Sequence, residues 1–176
     1  VGGGIGTVED IRSTILAGAE KVSLNSQAVK NPSLITEGAR IFGNQCIVLG
    51  MDAAKDDEMP SGYRVYINGG RVKTDLDALA WAKKAVDLGA GEIVLNSMDA
   101  DGTKNGYEIN LTCLFFLNVS VPVIASGGGG NPQHLADVLK EGKADAALIA
   151  TMVHSGQYTV NSIKQDLQKQ GVPVRL

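Results

Sequence analysis

Cysteine is scarce in this sequence: Cys46 and Cys113 are the only two among 176 residues. They lie far apart with no metal-ligand spacing around them, which argues against a disulfide framework and against a cysteine-held zinc module. Each falls in an apolar run, and both are expected as buried free thiols in a reducing cytoplasm. Net charge is equally thin. Sixteen basic residues face nineteen acidic ones, a formal −3, so nothing favours nucleic acid or an anionic membrane surface. Small anions remain open as ligands, because local backbone donors can outweigh a weak overall charge. No apolar run approaches the length of a membrane span. The two histidines, His134 and His154, have no Asp or Cys partner at a telling spacing and read as structural or solvent-facing. No metal site and no cofactor are expected.

The remaining composition is that of a globular protein, 44% hydrophobic and 20% charged, in a chain long enough for one domain with a real core. Five runs read as short buried strands: VSLNS (22–26), CIVLGMD (46–52), EIVLNS (92–97), VPVIAS (121–126) and AALIAT (146–151). They are apolar almost continuously, the pattern of parallel strands covered on both faces. Helical patterns fill the gaps, over Thr7–Ala17 and over 33–42, 74–88, 109–118, 132–141 and 159–170. Thr7 followed by Asp10 is a capping-box signature, and Gly18 is a C-terminal stop. Asn131-Pro132 supplies an N-cap with proline at the first helical position. Strict alternation of strand and helix predicts an α/β domain with a parallel sheet. The exception is GYRVYINGGR (62–71), which alternates apolar and polar residues around an Asn-Gly turn. It reads as a hairpin inserted above the sheet after the 46–52 strand.

VGGGI at the start and SGGGG at 126–130 are two copies of one device. Aligning Gly4 with Gly128 places Gly18 against Gly142, each ending a helix and each followed by a strand, KVSLNS or ADAALIAT. Both units close on a small polar tip, Asn25-Ser26 or Ala150-Thr151. This is an internal repeat at the level of the βαβ unit. Glycines after a strand let the backbone approach an anion, the following turn aims unpaired N–H groups at it, and a strand-end hydroxyl adds a donor. Tight turns alone would also use glycine, but two copies with matching tips favour two anion cradles. A dinucleotide site is not expected, since no acidic ribose-binding residue closes the next strand in either copy.

KVSLNSQAVKNP, SMDADGTKNGY, PVIASGGGGN, KADAALIATMVHSGQYT and the terminal GVPVRL together resemble the cyclase subunit of imidazole glycerol phosphate synthase. The resemblance runs along the whole chain. It implies a (βα)8 TIM barrel, a lyase of histidine biosynthesis, and a substrate with a phosphate at each end, which suits the paired cradles. It further implies that Gly4, Asn25 and Ser26 hold one phosphate, and that Gly102, Gly128, Ala150 and Thr151 hold the other. Asp52 matches the catalytic carboxylate of the fifth barrel strand. Independently, an acid at the C-terminal end of a barrel strand sits where such barrels do chemistry, although a cap for AAKDD would use the same residue. Asp101, in DADGT, matches a catalytic-pocket residue that assists proton transfer or binds the ribulosyl hydroxyls. Asp99 beside it reads as a turn former. Asn96 and Ser126 would line the pocket floor, and Lys104 reads as a solvated loop lysine. At the other end of the strands, Lys21 and Glu92 match charges that gate the entry of ammonia from a glutaminase partner, with Glu20 facing that partner.

A complete barrel of this kind has eight strands and typically about 250 residues. Five whole strands are present here, with Val1 as the tip of a sixth. The expectation is therefore a single partial barrel domain over 1–176, lacking the first two βα units and most of the third strand. The family's other catalytic carboxylate belongs to the first strand, so this chain alone is expected to be impaired in turnover. Its unpaired strand edges would invite association. The implied reaction uses ammonia to convert phosphoribulosyl-formimino aminoimidazole carboxamide ribotide to imidazole glycerol phosphate and aminoimidazole carboxamide ribotide. Two other readings stay open. One is the sister phosphoribosyl-formimino isomerase of the same pathway, whose pattern would differ around QAVKNP and HSGQYT. The other is a catalytically inactive phosphate-binding remnant.

Overall fold

The apolar runs pair side by side in the order in which they occur along the chain. In the computed structural model, which describes residues 1–176, seven strands form one sheet. They are β1 (Val22–Leu24), β2 (Ile47–Lys55), β3 (Tyr63–Ile67), β4 (Val72–Asp77), β5 (Glu92–Ser97), β6 (Val123–Ser126) and β7 (Ala146–Ala147). β1, β2, β5, β6 and β7 are parallel neighbours in that sequence, and Gly2 adds a parallel bridge to Ser23 on the free side of β1. A doubly wound sheet reverses its strand order at a switch point. This one never reverses, which is the strand order of a (βα)8 barrel wall.

Eight helices accompany the strands: α1 (Val8–Leu16), α2 (Ser26–Lys30), α3 (Ser33–Phe42), α4 (Ala78–Asp87), α5 (Ile109–Phe116), α6 (Pro132–Lys140), α7 (Thr151–His154) and α8 (Val160–Lys169). Their starts follow from local chemistry. The Asp10 amide donates to Thr7 Oγ1 at 3.1 Å while Thr7 N–H donates back to the Asp10 carboxylate at 2.9 Å, a closed capping box. Asn131 accepts from His134 N–H at 3.1 Å, with Pro132 following it. The helix-facing side of the strands is the main core, in which Leu49 and Met51 of β2 and Ile93 and Leu95 of β5 pack with Ile11, Ile35, Trp81 and Phe115. The other side of these strands carries Gly50, Asp52, Val94, Asn96 and Ser126, all half-buried. Alternation in a strand thus separates a dry face from one that can receive a ligand.

Several expectations change. β2 does not stop at Asp52 but continues to Lys55, because β3 pairs antiparallel with Asp52–Lys55 where β1 has already ended. AAKDD is therefore strand and turn, and Asp52 caps no helix. The hairpin is larger than 62–71: β4 takes Val72–Asp77, so the helix expected from 74 begins at Ala78, with Asp77 accepting from Ala80 N–H at 2.9 Å. The 22–26 strand ends at Leu24, and the 146–151 strand shrinks to Ala146–Ala147, because Ser26 and Thr151 each start a short helix. Cys46 sits in a 3-10 turn over Asn44–Cys46 rather than opening a strand, and both thiols are half-buried. Where the second repeat leaves its helix, Lys143 rather than Gly142 takes the left-handed conformation, at φ 59°. That shift absorbs the extra residue of the second copy.

The β3–β4 hairpin is fastened by a buried guanidinium. Arg64 donates to the Asp56 carboxylate at 2.7 Å, to Glu58 at 2.9 Å and to the Thr74 carbonyl at 2.9 Å, and Lys73 adds a second cation 3.0 Å from Asp56. Hydrogen bonds from Arg64 and then Lys73 hold the Asp56 carboxyl far below the usual carboxylate range.

Candidate functional site

Strand register places three polar residues in one row. Asp52 of β2 lies opposite Asn96 of β5, and Asn96 lies opposite Ser126 of β6. Their side chains join on the ligand-facing side. Ser126 Oγ donates to Asn96 Oδ1 at 3.1 Å, and Asn96 Nδ2 donates to Asp52 Oδ1 at 3.0 Å. From beyond the end of β1, Asn25 Nδ2 donates to Asp52 Oδ2 at 2.9 Å. Each carboxylate oxygen thus takes one amide hydrogen bond, which fixes the plane of the group and leaves lone pairs for an incoming proton. Asn25 Oδ1 is buried without any partner, an acceptor whose satisfaction requires a donor not supplied by the chain.

The row separates two cavities at the C-terminal ends of the strands. The first, of about 470 Å³, is lined by Gly4, Asn25, Ser26, Asp52 and Asn96, together with Gly3, Gln27, Lys30, Asn68 and Gly69. The amides of Gly3 and Gly4 donate to nothing in the chain. Gly4 has φ 73°, and no atom lies within 4 Å of where its Cβ would stand. This loop is open, with its N–H groups unspent, as an anion cradle requires. Its size suits a small organic ligand.

The second cavity is tighter, about 50 Å³, and collects Asp101, Gly102, Ser126, Gly128, Ala150 and Thr151, with Lys104 also on its wall. Here the glycines have a further reason. A Cβ on Gly128, at φ 99°, would stand 2.7 Å from the Gly106 carbonyl carbon and 3.1 Å from Ala100 Cβ. The 126–130 loop packs directly on the 98–107 loop, and Gly106 N–H donates to Gly128 O at 2.9 Å. Tyr107 holds the same loop. Its hydroxyl donates to the Leu148 carbonyl at 2.8 Å, and burial pushes its phenol up to about 12. His134 Nδ1 accepts from Gly130 N–H at 3.2 Å, so this histidine shapes the glycine loop. Asp99 accepts from Lys55 N–H at 2.8 Å and ties the 98–107 loop to the end of β2.

At the opposite end of the strands, Lys21 and Glu92 form an ion pair. Glu92 and Asn96 are four residues apart on one face of β5, about 13 Å at the usual strand rise. Glu20 is exposed beside Lys21.

The expected residues therefore fall into three groups. Gly4, Asn25, Ser26, Asp52 and Asn96 share one cavity, while Gly102, Gly128, Ala150, Thr151, Asp101 and Ser126 share the other. Lys21 and Glu92 are paired elsewhere. Asp52 and Asp101 are not in one cavity. Lys30, Gln27, Asn68 and Gly69 were not anticipated. Asn68 and Gly69 belong to the Asn-Gly turn, and nothing local says that this turn reaches back over the 25–30 segment. Lys104, read as solvated, is exposed but stands on the wall of the second cavity.

Comparison with known proteins gives the family of the chain. Residues 1–159 match the family model described as histidine biosynthesis protein. The imidazole glycerol phosphate synthase subunit HisF of Desulfatibacillum aliphaticivorans is 65% identical, over 99% of this chain and 68% of its own length. The proteins of the same name from Desulforapulum autotrophicum and Syntrophobacter fumaroxidans are 65% and 62% identical, each over 99% of this chain and 69% of their own length. No helix is long and apolar enough to cross a membrane.

Proposed function

Because the chain belongs to the histidine biosynthesis protein family, as a cyclase subunit of imidazole glycerol phosphate synthase, we propose that its two cradles hold the two phosphates of one substrate across the Asp52 row. Gly4, Asn25 and Ser26 take one phosphate, and Gly102, Gly128, Ala150 and Thr151 take the other. Between them, Asp52 acts as acid and base in the ring closure that yields imidazole glycerol phosphate and aminoimidazole carboxamide ribotide from the phosphoribulosyl-formimino precursor. Asn96 and Ser126 line the floor between the cradles and keep the Asp52 carboxylate in plane. Asp101, on the second wall, assists proton transfer or holds the ribulosyl hydroxyls. The nitrogen comes as ammonia from a glutaminase subunit and enters at the far end of the strands, beside Lys21 and Glu92.

The observation that carries this reading is the row itself. The hydrogen bonds from Asn25 to Asp52, from Asn96 to Asp52 and from Ser126 to Asn96 join one glycine cavity to the other through a single carboxylate. Ammonium-driven turnover by the protein that carries this sequence tests it. Asp52→Asn keeps the size of the side chain but removes the base and turns one of its two acceptor oxygens into a donor, and turnover should fall by roughly 10² to 10⁴. Undiminished turnover in that variant sinks the assignment.

A further inference from the structure

The first cavity contains two groups that the ring-closing chemistry does not use. Lys30, the last residue of α2, is the only cation among the lining residues, and its ammonium takes part in no ion pair. The only other charged lining residue is Asp52, whose oxygens already accept from Asn25 and Asn96. The second group is the tip of the β3–β4 hairpin. The Asn68 backbone N–H donates to Ser26 Oγ at 2.8 Å, across 42 residues of chain. An oxygen that accepts there keeps its own hydrogen free, and the Ser26 hydroxyl donates to nothing else in the chain.

We propose that Lys30 and the Asn68 amide complete the first cradle as a site for a phosphate monoester: Lys30 supplies the positive charge, and Asn68 holds the Ser26 hydroxyl as a donor. This rests on the reading of that cavity as a phosphate cradle and adds the residues that set its charge and selectivity. The donors are the amides of Gly3 and Gly4, the Ser26 hydroxyl and the Lys30 ammonium. Four donor groups suit a tetrahedral anion with three terminal oxygens better than a carboxylate with two. A single ammonium without a planar guanidinium fork carries no preference for a flat anion. The hairpin can hold Asn68 in place because its base is locked by Arg64, Asp56 and the Thr74 carbonyl.

Titration of the isotopically labelled protein with inorganic phosphate, followed residue by residue by NMR, is the test. The amides of Gly3, Gly4 and Asn68 are expected to shift together, and those of Gly128 and Gly129 separately. Lys30→Met should weaken phosphate at the first group about 3- to 10-fold and more strongly at low salt, as for a half-screened charge-assisted contact. It should leave the second group unchanged, and Lys30→Arg should restore most of the loss. Lys30 is exposed at a helix end, so these variants keep the fold. If Lys30→Met binds phosphate at the first group as tightly as the parent, the role of Lys30 is overturned while the cradle stands. If Gly3 and Gly4 shift while Asn68 stays still, the role of the hairpin is overturned. If no amide of the first group moves at millimolar phosphate, both the cradle and this inference fail.

Discussion

Replacing Gly128 with alanine and, separately, Gly4 with alanine perturbs two positions that the sequence repeat equates. Both glycines have positive φ, 99° and 73°, so each alanine suffers backbone strain of about 1–2 kcal/mol. Alanine also restricts the unfolded chain, which returns roughly 0.4–1 kcal/mol. For Gly4 that is the whole effect, because nothing lies within 4 Å of the new methyl, and the net cost is about 0–1.6 kcal/mol. For Gly128 the methyl would stand 2.7 Å from the Gly106 carbonyl carbon. Backbone has to move, and the Gly106 N–H to Gly128 O bond of 2.9 Å is the first casualty. A buried hydrogen bond lost that way adds about 1–3 kcal/mol, for a total of about 1–4.6 kcal/mol, a large share of a typical domain's 5–15 kcal/mol at its upper end. Urea denaturation of both variants, compared through midpoints at unchanged slope, measures the difference. Phosphate titration should then find the second cradle weakened in Gly128→Ala with the first intact. Equal costs for the two substitutions would refute the reasoning that packing on the 98–107 loop dictates the second glycine run.

Two further outcomes follow from buried polar groups. Burial raises the Tyr107 phenol to about 12, so the folded state retains a proton that the unfolded chain releases near pH 10. Stability should therefore fall as pH rises from about 10 toward 12, ultraviolet titration should find Tyr107 ionising late alongside Tyr63, which burial also raises, and Tyr107→Phe should remove the Tyr107 share of both effects. Arg64→Met should speed amide hydrogen exchange across Tyr63–Asp77 more than it lowers the global midpoint, since Arg64 bonds only within the β2–β4 segment. The Asp56 carboxyl that it pairs with is held low by Arg64 first and Lys73 second, so the hairpin's protection should persist down to the unfolded value, about pH 3.9, and decline only below it.

How much of this was readable in the sequence depended on distance along the chain. Helix starts were legible because a cap is a four-residue matter, as at Thr7 and Asn131. The parallel sheet was legible from apolar runs alone. The length of β2 was not, because its last two residues, Ala54 and Lys55, are strand only by pairing with β3, a partner the alternating 62–71 segment announced without giving its register. The same holds at the site. Asp52, Asn96 and Ser126 could each be singled out by type and by resemblance, but their hydrogen-bonded row needs the register of β2 with β5 and of β5 with β6. Lys30 resembles any lysine at a helix end until Asn68, reaching back from the hairpin, shows that α2 borders a cavity.

The repeat was the strongest sequence signal, and its two halves turn out to be built for different surroundings. Gly3 and Gly4 stand in the open, and their cavity of about 470 Å³ is walled by elements outside the repeat, Lys30 and the hairpin tip. Gly127 to Gly129 are packed against the 98–107 loop, and their cavity is about 50 Å³. A cradle of that size fits little more than the phosphate itself. The larger cavity has room for more than a phosphate, and it is also the one that contains Asp52 and the unpartnered Asn25 Oδ1. On the proposed function, the asymmetry divides the work: the second cradle would anchor one end of the substrate, and the first would hold the other end with the reacting centre beside it.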